Sequence, residues 1–382
     1  MNESPERPFL PYSRQWISEN DVKSVVEILN SDWITTGPKV NEFELEIAKK
    51  CSVEHGVAVS NGTTALHAAY SAIGVGPGDE VIIPAITFAA TANMVAMNGA
   101  KPVFADVDRE TLLIDPESVS ELISDKTKAV VGVDYTGQPF DYLAIHEIAE
   151  RKGISVISDA AHSLGGSMNG NPVGSLADIT TFSFHPVKPI TTGEGGMVVT
   201  DDDDLAKRVR EFRNHGIDAT FRQREERNTF EYDVSTLGSN YRMTDIQCGL
   251  GISQLSRLEE WVERRNRIAD LYDELIQSVD GINPLGRVDG AISAFHLYVV
   301  RIDKNLFGKG RDEVFRSMRE LGIGVNVHYR PVHLFSYYQK RFGTSKGSCP
   351  VAEEAYEEIL SLPIFPKMDD RDVSRVVEAF GG

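Results

Sequence analysis

The chain has 382 residues, of which 41% are hydrophobic and 25% charged, and its formal net charge at pH 7 is -18. The length allows two domains and the composition is that of a globular protein, but the acidic excess argues against nucleic-acid binding, which needs surplus lysine and arginine. Cys51, Cys248 and Cys349 are scattered without metal-ligand spacing, so we expect no disulfides, no cysteine metal site, and a reducing, cytoplasmic setting.

The N-terminal elements predict a layered α/β fold. A helix over Glu19–Leu29, capped by Ser18, precedes residues 40–255, in which short apolar strands alternate with amphipathic helices. Examples are strands over 56–60 and 129–133, which are followed by helices over 64–73 and 142–152. The alternation predicts a mainly parallel sheet covered by helices on both faces. The longest apolar run, residues 81–97, is short and interrupted by polar residues, so no membrane span is predicted.

The remainder of the chain predicts a smaller domain. A long amphipathic helix over residues 255–276 bridges to it. Strands are predicted near 295–302 and 324–328, and helices near 311–321 and 351–360. We therefore assign an N-terminal arm and a large domain to residues 1–255, and a small C-terminal domain to residues 256–382.

Lys188 lies between an alternating strand, residues 181–184, and a glycine-rich turn, residues 193–196. A lysine there can present its amine at the mouth of a sheet, where it is suited to forming a Schiff base with an aldehyde cofactor. The ordinary alternative is a solvated surface lysine. Asp159, which ends another apolar run, favours the cofactor. Pyridoxal 5'-phosphate needs both an amine and a carboxylate that keeps its ring nitrogen protonated.

Four further residues offer groups to the same cofactor. Thr63 and Thr64 lie where a strand gives way to a helix, and their hydroxyls and free N–H groups form either an anion site or an ordinary capped helix start. Phe88, at a strand-to-helix turn, can stack on a flat ring or pack in the core. His162, three residues after Asp159, can contact the ring or simply pack.

Polar segments in the second half are candidates for substrate contacts. Residues 238–244 form a polar turn in which Asn240 can serve the backbone. Residues 324–333 carry two histidines, a tyrosine and an arginine. Because His328 and His333 lack a third ligand nearby, recognition of a polar or phosphorylated substrate is preferred there, and no metal site is predicted.

Four motifs occur in an order and at separations typical of one family. They are residues 61–66, 159–162, 183–196 and 238–242. From about Pro11 to Pro366 the chain resembles the DegT/DnrJ/EryC1/StrS nucleotide-sugar aminotransferases. The resemblance implies the fold type I architecture of pyridoxal phosphate-dependent aminotransferases. In that α/β fold a mainly parallel seven-stranded sheet lies between helices, and a smaller α+β domain follows.

The resemblance also implies roles toward the cofactor ring. Lys188 would hold the cofactor as a Schiff base and then carry the proton between the substrate carbon and the cofactor. Asp159 would pair with the ring nitrogen. Phe88 would stack on the ring, and His162 would lie near the ring hydroxyl, where many relatives carry glutamine.

The phosphate and substrate contacts follow from the same resemblance. Contacts with the phosphate are implied for Thr63, Thr64 and Ser183. Asn240 would reach the phosphate of the neighbouring subunit's cofactor, which implies a homodimer with shared active sites. His328 and Tyr329 would face the sugar nucleotide, and residues 218–233, the segment that matches least, would lie near the substrate.

Within the family, residues 184–196 and 326–329 are most like the enzymes of pseudaminic acid synthesis. That likeness implies amino transfer from L-glutamate to C4 of a UDP-linked 4-keto-6-deoxy-N-acetylhexosamine. One alternative is another nucleotide-linked ketosugar in the same reaction. A sugar dehydratase on the same fold would replace the lysine with histidine, so Lys188 argues against it. The intact cofactor residues argue against a non-catalytic regulator.

Overall fold

The computed structural model describes residues 8–219, 224 and 228–381. Its strands are β1 His55–Val59, β2 Glu80–Pro84, β3 Lys101–Ala105, β4 Thr127–Val133, β5 Ser155–Asp159, β6 Ser167–Met168, β7 Asn171–Pro172, β8 Ile179–Ser183, β9 Gly196–Thr200, β10 Ile282–Pro284, β11 Ala291–Ile292, β12 Tyr298–Ile302 and β13 Ile359–Leu362. Its α-helices are α1 Glu19–Leu29, α2 Pro38–Cys51, α3 Gly62–Ala72, α4 Ala89–Met97, α5 Pro116–Leu122, α6 Tyr142–Glu150, α7 Asp203–Phe212, α8 Asp245–Leu255, α9 Leu258–Ile276, α10 Lys304–Phe307, α11 Arg311–Glu320, α12 Ser336–Phe342, α13 Pro350–Glu358 and α14 Asp370–Glu378. Short 3-10 turns cover Tyr135–Gly137, Val332–Leu334 and Ala379–Gly381.

The large sheet has the strand order β1-β9-β8-β5-β4-β2-β3. Strand β9 runs antiparallel to β1 and β8, and the other adjacent pairs are parallel. The predicted seven-stranded, mainly parallel sheet is therefore confirmed. Because β4, β5 and β8 run side by side in one direction, their carboxyl ends at Val133, Asp159 and Ser183 meet at one edge.

The large sheet is buried on both faces because successive residues of a strand point to opposite sides. In β1, Val57 and Val59 pack in the apolar layer that contains α3 and α4, whereas Ala58 packs in the layer that contains α2 and α8. In β9, Val198 joins the first layer and Met197 the second. The sheet thus lies between two helical layers, as the alternating sequence pattern predicted.

A second apolar core surrounds the antiparallel sheet β10-β12-β13. Helices α9, α11 and α14 cover it through Tyr272, Met318 and Val376. Helices α12 and α13 instead pack on the core of the large sheet, through Tyr338 and Ala352. The C-terminal half therefore contributes to both cores, and the domain boundary after residue 255 stays a prediction.

The strand predicted over residues 324–328 is wrong. Ile323 forms an isolated bridge with Leu10, and Asn326 forms one with Ser361. The backbone thus pairs with one partner and then with another a few residues later. No continuous ladder develops, and the segment crosses the cavity described below as an irregular loop.

The helix predicted over residues 351–360 ends too late. The structure ends α13 at Glu358 and continues directly into β13, whose four residues are all buried. These residues pair with β12 in the small sheet. The apolar residues at the end of the predicted helix therefore belong to a buried strand. Over so few residues, the hydrophobic pattern of a buried strand cannot be distinguished from that of a helix.

The strand predicted over residues 295–302 begins only at Tyr298. Phe295 has φ = 41°, a left-handed conformation that a strand does not contain. The predicted bounds of the helix Glu19–Leu29 are confirmed. The predicted cap is also confirmed, since the side chains of Ser18 and Asp21 form a capping box at the start of this helix.

The three cysteines are free and buried. Burial raises the pKa of the Cys51 and Cys349 thiols to about 12, so these thiols are protonated and unreactive near neutral pH.

Of the helices in the described ranges, none has the length and apolar character required to cross a membrane.

Candidate active site

A cavity of about 500 Å³ opens at the carboxyl edge of the large sheet. The ends of β4, β5 and β8, the first turn of α3, the residues before α4 and the loop 326–329 contribute its lining. Most predicted site residues line it, namely Thr63, Phe88, Asp159, His162, Ser183, Lys188, His328 and Tyr329. Thr64 and Asn240 are not among its lining residues. Residues that are distant in sequence therefore share one cavity.

Asp159 ends β5 and is almost fully buried. Its Oδ2 accepts a hydrogen bond of 2.7 Å from Thr91 Oγ1, and its Oδ1 accepts one of 3.3 Å from the N–H of Ala161. Burial raises the pKa of the carboxyl, whereas the Thr91 hydrogen bond and the Lys188 amine lower it. A buried carboxylate held in this way can keep a ligand's ring nitrogen protonated.

Lys188 lies in the turn between β8 and β9 and shares the cavity with Asp159. Removal from water lowers the pKa of Lys188 to about 8, although the negative charge of Asp159 raises it. The backbone of the turn is fixed, because the N–H of Lys188 donates to the carbonyl of His185 at 2.9 Å. An amine with this pKa is neutral far more often near pH 7 than a solvated lysine and can act as a nucleophile.

The N-terminus of α3 meets the end of β8 at one end of the cavity. A Cβ atom on Gly62 would lie 2.8 Å from Cβ of Ser183, so glycine is required for this close approach. Thr63 and Ser183 both line the cavity here. Thr64 is used differently, since its Oγ1 accepts a hydrogen bond of 3.0 Å from the N–H of Asn61 in a capping box. Hydroxyls beside a helix N-terminus provide donors for an anion.

A second part of the lining is aromatic and imidazole in character. The Phe88 ring is largely exposed, and its centroid lies 6.0 Å from that of Tyr329. His162 Nε2 lies 3.2 Å from the Tyr329 hydroxyl, and His328 Nδ1 lies 2.8 Å from Ser361 Oγ. Burial lowers the pKa of His328 to about 4 and that of His162 well below its usual value. Both imidazoles are therefore neutral near pH 7.

Sequence reasoning missed residues that only the fold brings to the cavity. Tyr12 arrives from the N-terminal arm with its ring centroid 5.5 Å from that of His328, and His296 arrives from the segment before β12. Neither residue lies in a recognisable motif. Thr91 did have a signal, because it follows Phe88 by one helical turn and so occupies the same side of α4.

Asn240 is exposed and lies outside the cavity of its own chain, where it forms an isolated bridge with Asn214. Residues 218–233 were predicted to lie near the substrate, and of these residues 220–223 and 225–227 lie outside the described part of the chain.

Across the described residues, no group of three His, Cys, Asp or Glu side chains is arranged to hold a metal ion.

Known proteins share this arrangement over the whole fold. PseC of Helicobacter pylori, an aminotransferase involved in the biosynthesis of pseudoaminic acid, has a TM-score of 0.91 at 31% identity, over 97% of this chain and 98% of that chain. Spr1654 of Streptococcus pneumoniae, described as a sugar aminotransferase, has a TM-score of 0.91 in its PMP form, at 32% identity and the same coverage. The spore coat polysaccharide biosynthesis protein SpsC of Bacillus subtilis (strain 168) is 42% identical over 374 residues, which are 97% of this chain and 96% of SpsC.

The fold and its buried amine and carboxylate, taken with these similarities, define a pyridoxal phosphate-dependent aminotransferase of fold type I. The family model for the DegT/DnrJ/EryC1/StrS aminotransferases matches residues 15–381, and the chain belongs to this family. Its cofactor is accordingly pyridoxal 5'-phosphate, in agreement with a neighbouring structure that was solved in PLP and PMP forms. The predicted family, fold class and cofactor are confirmed.

The groups present in the cavity fit this cofactor. Pyridoxal phosphate needs an amine for its aldehyde, a carboxylate for its ring nitrogen and donors for its phosphate. Lys188, Asp159 and the start of α3 with Ser183 bring these groups to one cavity. The close approach of Gly62 to Ser183 leaves no side chain from that position at the phosphate end.

Proposed function

We propose that this enzyme transfers the amino group of L-glutamate to C4 of a UDP-linked 4-keto-6-deoxy-N-acetylhexosamine, as in pseudaminic acid-type synthesis. The observation that carries amino transfer is the meeting of Lys188 and Asp159 in one cavity, with a lysine pKa near 8. The similarity to PseC over nearly the whole chain supports the choice of sugar. The expected cytoplasmic location stays a prediction.

The bound cofactor would supply an electron-withdrawing ring, and four residues would hold it. Asp159 would keep the ring nitrogen protonated, because its carboxylate is buried and fixed by Thr91. Phe88 would stack on one face of the ring, and His162, as a neutral donor, would contact the ring hydroxyl. Lys188 would bond to the aldehyde.

Of the three residues predicted from the sequence to contact the cofactor phosphate, two are proposed to do so. Thr63 and Ser183 would hold the phosphate at the start of α3, where the helix N-terminus adds N–H donors and a favourable dipole. Thr64 stays a prediction, since its hydroxyl already bonds within the capping box.

Lys188 would also move the proton that amino transfer requires. Once the amino donor had displaced it, its amine would be a free base that could accept the proton from the substrate carbon. A pKa near 8 matches such a general base to neutral pH, because it can both accept and return a proton. The removal of water by the surrounding buried side chains lowers this pKa and favours the neutral amine.

The electrostatics of the cavity support a homodimer. L-glutamate and a nucleoside diphosphate sugar bring several negative charges, yet Lys188 is the only lysine or arginine among the described residues that line the cavity. Further groups that bind these anions would come from beyond this lining. Asn240, which is exposed and outside its own cavity, would donate a hydrogen bond from its neutral amide to the phosphate in the neighbouring subunit.

His328 and Tyr329 would face the sugar nucleotide from the loop 326–329. The His328 ring is fixed by Ser361, and the Tyr329 hydroxyl is fixed by His162. Neutral imidazole and phenol groups can recognise sugar hydroxyl and amide groups by hydrogen bonds. A TDP-linked ketosugar is the second candidate, since a structural neighbour, DesI, was solved in the presence of its TDP-sugar product.

The first test is the visible absorption spectrum of the purified, cofactor-loaded protein before and after L-glutamate is added. We expect the band to give way to the pyridoxamine phosphate spectrum, and the aminated protein to return to its first spectrum with the UDP-linked ketosugar. Lys188→Ala is the control and should abolish turnover. A spectrum indifferent to L-glutamate would refute the donor, and restoration by the TDP-linked sugar alone would refute the UDP-sugar.

A further inference from the structure

His296 lines the same cavity as Lys188, but the chemistry described so far does not use it. The residue lies between β11 and β12 and is 3% exposed. Its ring centroid lies 4.4 Å from that of His162, with 46° between the ring planes. In the described structure, Nδ1 of both rings is buried and has no hydrogen-bond partner. Buried polar atoms without partners are costly, so two contacting rings that each carry one, in a ligand cavity, indicate a function.

The backbone that carries His296 is strained and firmly held. Phe295 has φ = 41°, a conformation that costs an aromatic residue free energy and persists only where the surroundings enforce it. Arg265, which is 2% exposed, donates from Nη1 to the carbonyls of Phe295 and Ile364, both at 3.0 Å. The arginine, which lies on α9, thus ties the strained residue to the segment that follows β13.

Gly137 holds the same segment from the large domain. The N–H of Ala294 donates to its carbonyl at 3.0 Å. Gly137 has φ = 111°, and a Cβ atom there would lie 2.8 Å from the Phe295 nitrogen and 3.0 Å from the His162 carbonyl oxygen. Only glycine therefore lets the segments that carry His162 and His296 come this close.

The two rings, which contact each other at a tilt, are both neutral. Burial lowers the pKa of His162 and of His296 well below the usual value, and the Lys188 amine acts in the same direction on both. His328 also lowers the pKa of both rings, and Arg265 lowers the pKa of His296. No charge repulsion therefore opposes the contact between the imidazoles.

We propose that His296 is a positioning residue for amino transfer. Its backbone segment is held by Arg265 and Gly137, and its ring packs against the His162 ring, which it holds on the Tyr329 hydroxyl and toward the cofactor's ring hydroxyl. Without His296, the His162 ring is free to turn, and its 3.2 Å contact with Tyr329 is lost. This inference rests on the role proposed above for His162.

The test compares His296→Ala, His162→Ala and the double variant, each loaded with pyridoxal phosphate. The readout is the pH midpoint at which the visible band changes, which depends on the cofactor and not on the sugar. We expect His296→Ala to move the midpoint in the same direction as His162→Ala, by about 0.5 pH unit or more, roughly threefold in the protonation equilibrium. The double variant should match His162→Ala alone, because His296 acts through His162.

His333→Ala is the matched control. His333 is also a fully buried histidine whose Nδ1 has no partner in the described structure, but it lies outside the cavity lining. The His333→Ala substitution should lower the melting temperature of the protein and leave the pH midpoint of the visible band unchanged. His296→Leu, which fills the space without a ring, replaces His296→Ala if that variant does not fold, and should give the same shift.

Three outcomes would overturn the inference. In the first, His162→Ala moves the midpoint and His296→Ala and His296→Leu do not. In the second, the effect of His296→Ala persists in the His162→Ala background. In the third, His162→Ala itself has no effect, and the role proposed for His162 then fails as well. Conversion of the wild-type band by L-glutamate, measured separately, shows whether amino transfer itself stands.

Discussion

Single residues in the cavity owe their chemistry to burial. Burial raises the pKa of Asp159 and lowers that of Lys188, and each charge partly restores the ionisation of the other. In water the same two groups would be fully ionised at pH 7 and strongly solvated. Here each lies closer to its neutral form, so a proton passes between protein and ligand at a smaller cost in free energy.

The coupling between the two groups predicts the pH dependence of cofactor capture. The rate at which cofactor-free protein bonds to pyridoxal phosphate should rise with pH to a plateau, with a midpoint near the Lys188 pKa of about 8. Asp159 raises that pKa, so Asp159→Asn should move the midpoint downward, by about one unit. A stopped-flow pH series measures this, and an upward shift would contradict the assignment.

Thr91 predicts a second effect at the residue scale. Its hydroxyl donates to Asp159 at 2.7 Å in a buried site, and a hydrogen bond to a charged group contributes about 1.5–3 kcal/mol. Thr91→Val keeps the shape and removes the donor, so kcat should fall about tenfold or more while cofactor stays bound. Thr91→Ser restores the hydroxyl and should recover most of the rate. Equal rates in the valine and serine variants would exclude this role.

At the scale of elements, the sequence predicted best where local chemistry sets the ends. The bounds of Glu19–Leu29 could be predicted because Ser18 forms a capping box with Asp21. The strand predicted over 324–328 failed because its pairing is decided by two distant partners, Leu10 and Ser361. No local pattern contains that information.

The same distinction applies to the candidate site. Asp159 could be predicted because it ends a buried apolar strand, whereas Ser183 was predicted from the resemblance of its motif to the family and lies at the end of the adjacent parallel strand. Tyr12 and His296 could not, since they reach the cavity only through the packing of the N-terminal arm and of the segment before β12. Contacts of that kind depend on tertiary structure and leave no periodic trace.

The contact between elements at Gly137 predicts a large loss of stability. In Gly137→Ala the added Cβ meets backbone atoms at 2.8 and 3.0 Å, and φ = 111° is unfavourable for alanine. We expect the free energy of unfolding to fall by about 3 kcal/mol or more, because neither backbone can move aside without disturbing the cavity. Gly74→Ala is the control, since it has φ = 78° and open space around it, and should cost about 1 kcal/mol. Chemical denaturation of both variants distinguishes them, and equal losses would disprove the steric argument.

The stability of the whole molecule should depend on pH through Asp134. This carboxyl is fully buried and accepts hydrogen bonds from Tyr142, Ser163 and the N–H of Phe140. Burial raises its pKa from 3.8 to about 7. Between these values the folded chain holds a proton that the unfolded chain has released, so the free energy of unfolding falls as pH rises through this range.

The size and the test of that effect follow from proton linkage. At 1.36 kcal/mol per pKa unit, the contribution of Asp134 reaches about 4 kcal/mol between pH 4 and pH 7. Asp134→Asn cannot titrate, so urea unfolding between pH 4.5 and 7.5 should show a flatter profile for the variant. A variant profile parallel to wild type would contradict the assignment.

The assembly of the whole molecule is the remaining prediction. Helix α1 presents Val22, Val26 and Leu29 on one side, with exposures of 55, 47 and 56%. Their spacing places them in one apolar stripe, and exposed apolar stripes mark interaction surfaces. A second copy of the chain would cover this stripe in the proposed homodimer.

A charge at the C-terminal end of that stripe should separate the subunits and stop catalysis together. Leu29→Asp would bury a carboxylate in the interface, so the dimer dissociation constant should rise about 100-fold, and kcat should fall because Asn240 leaves the neighbouring cavity. Leu143→Asp is the control, since Leu143 is 72% exposed on α6, outside this stripe. Sedimentation velocity and turnover at matched protein concentrations give both readouts. Full activity in a monomeric Leu29→Asp protein would show that each cavity is complete without its neighbour.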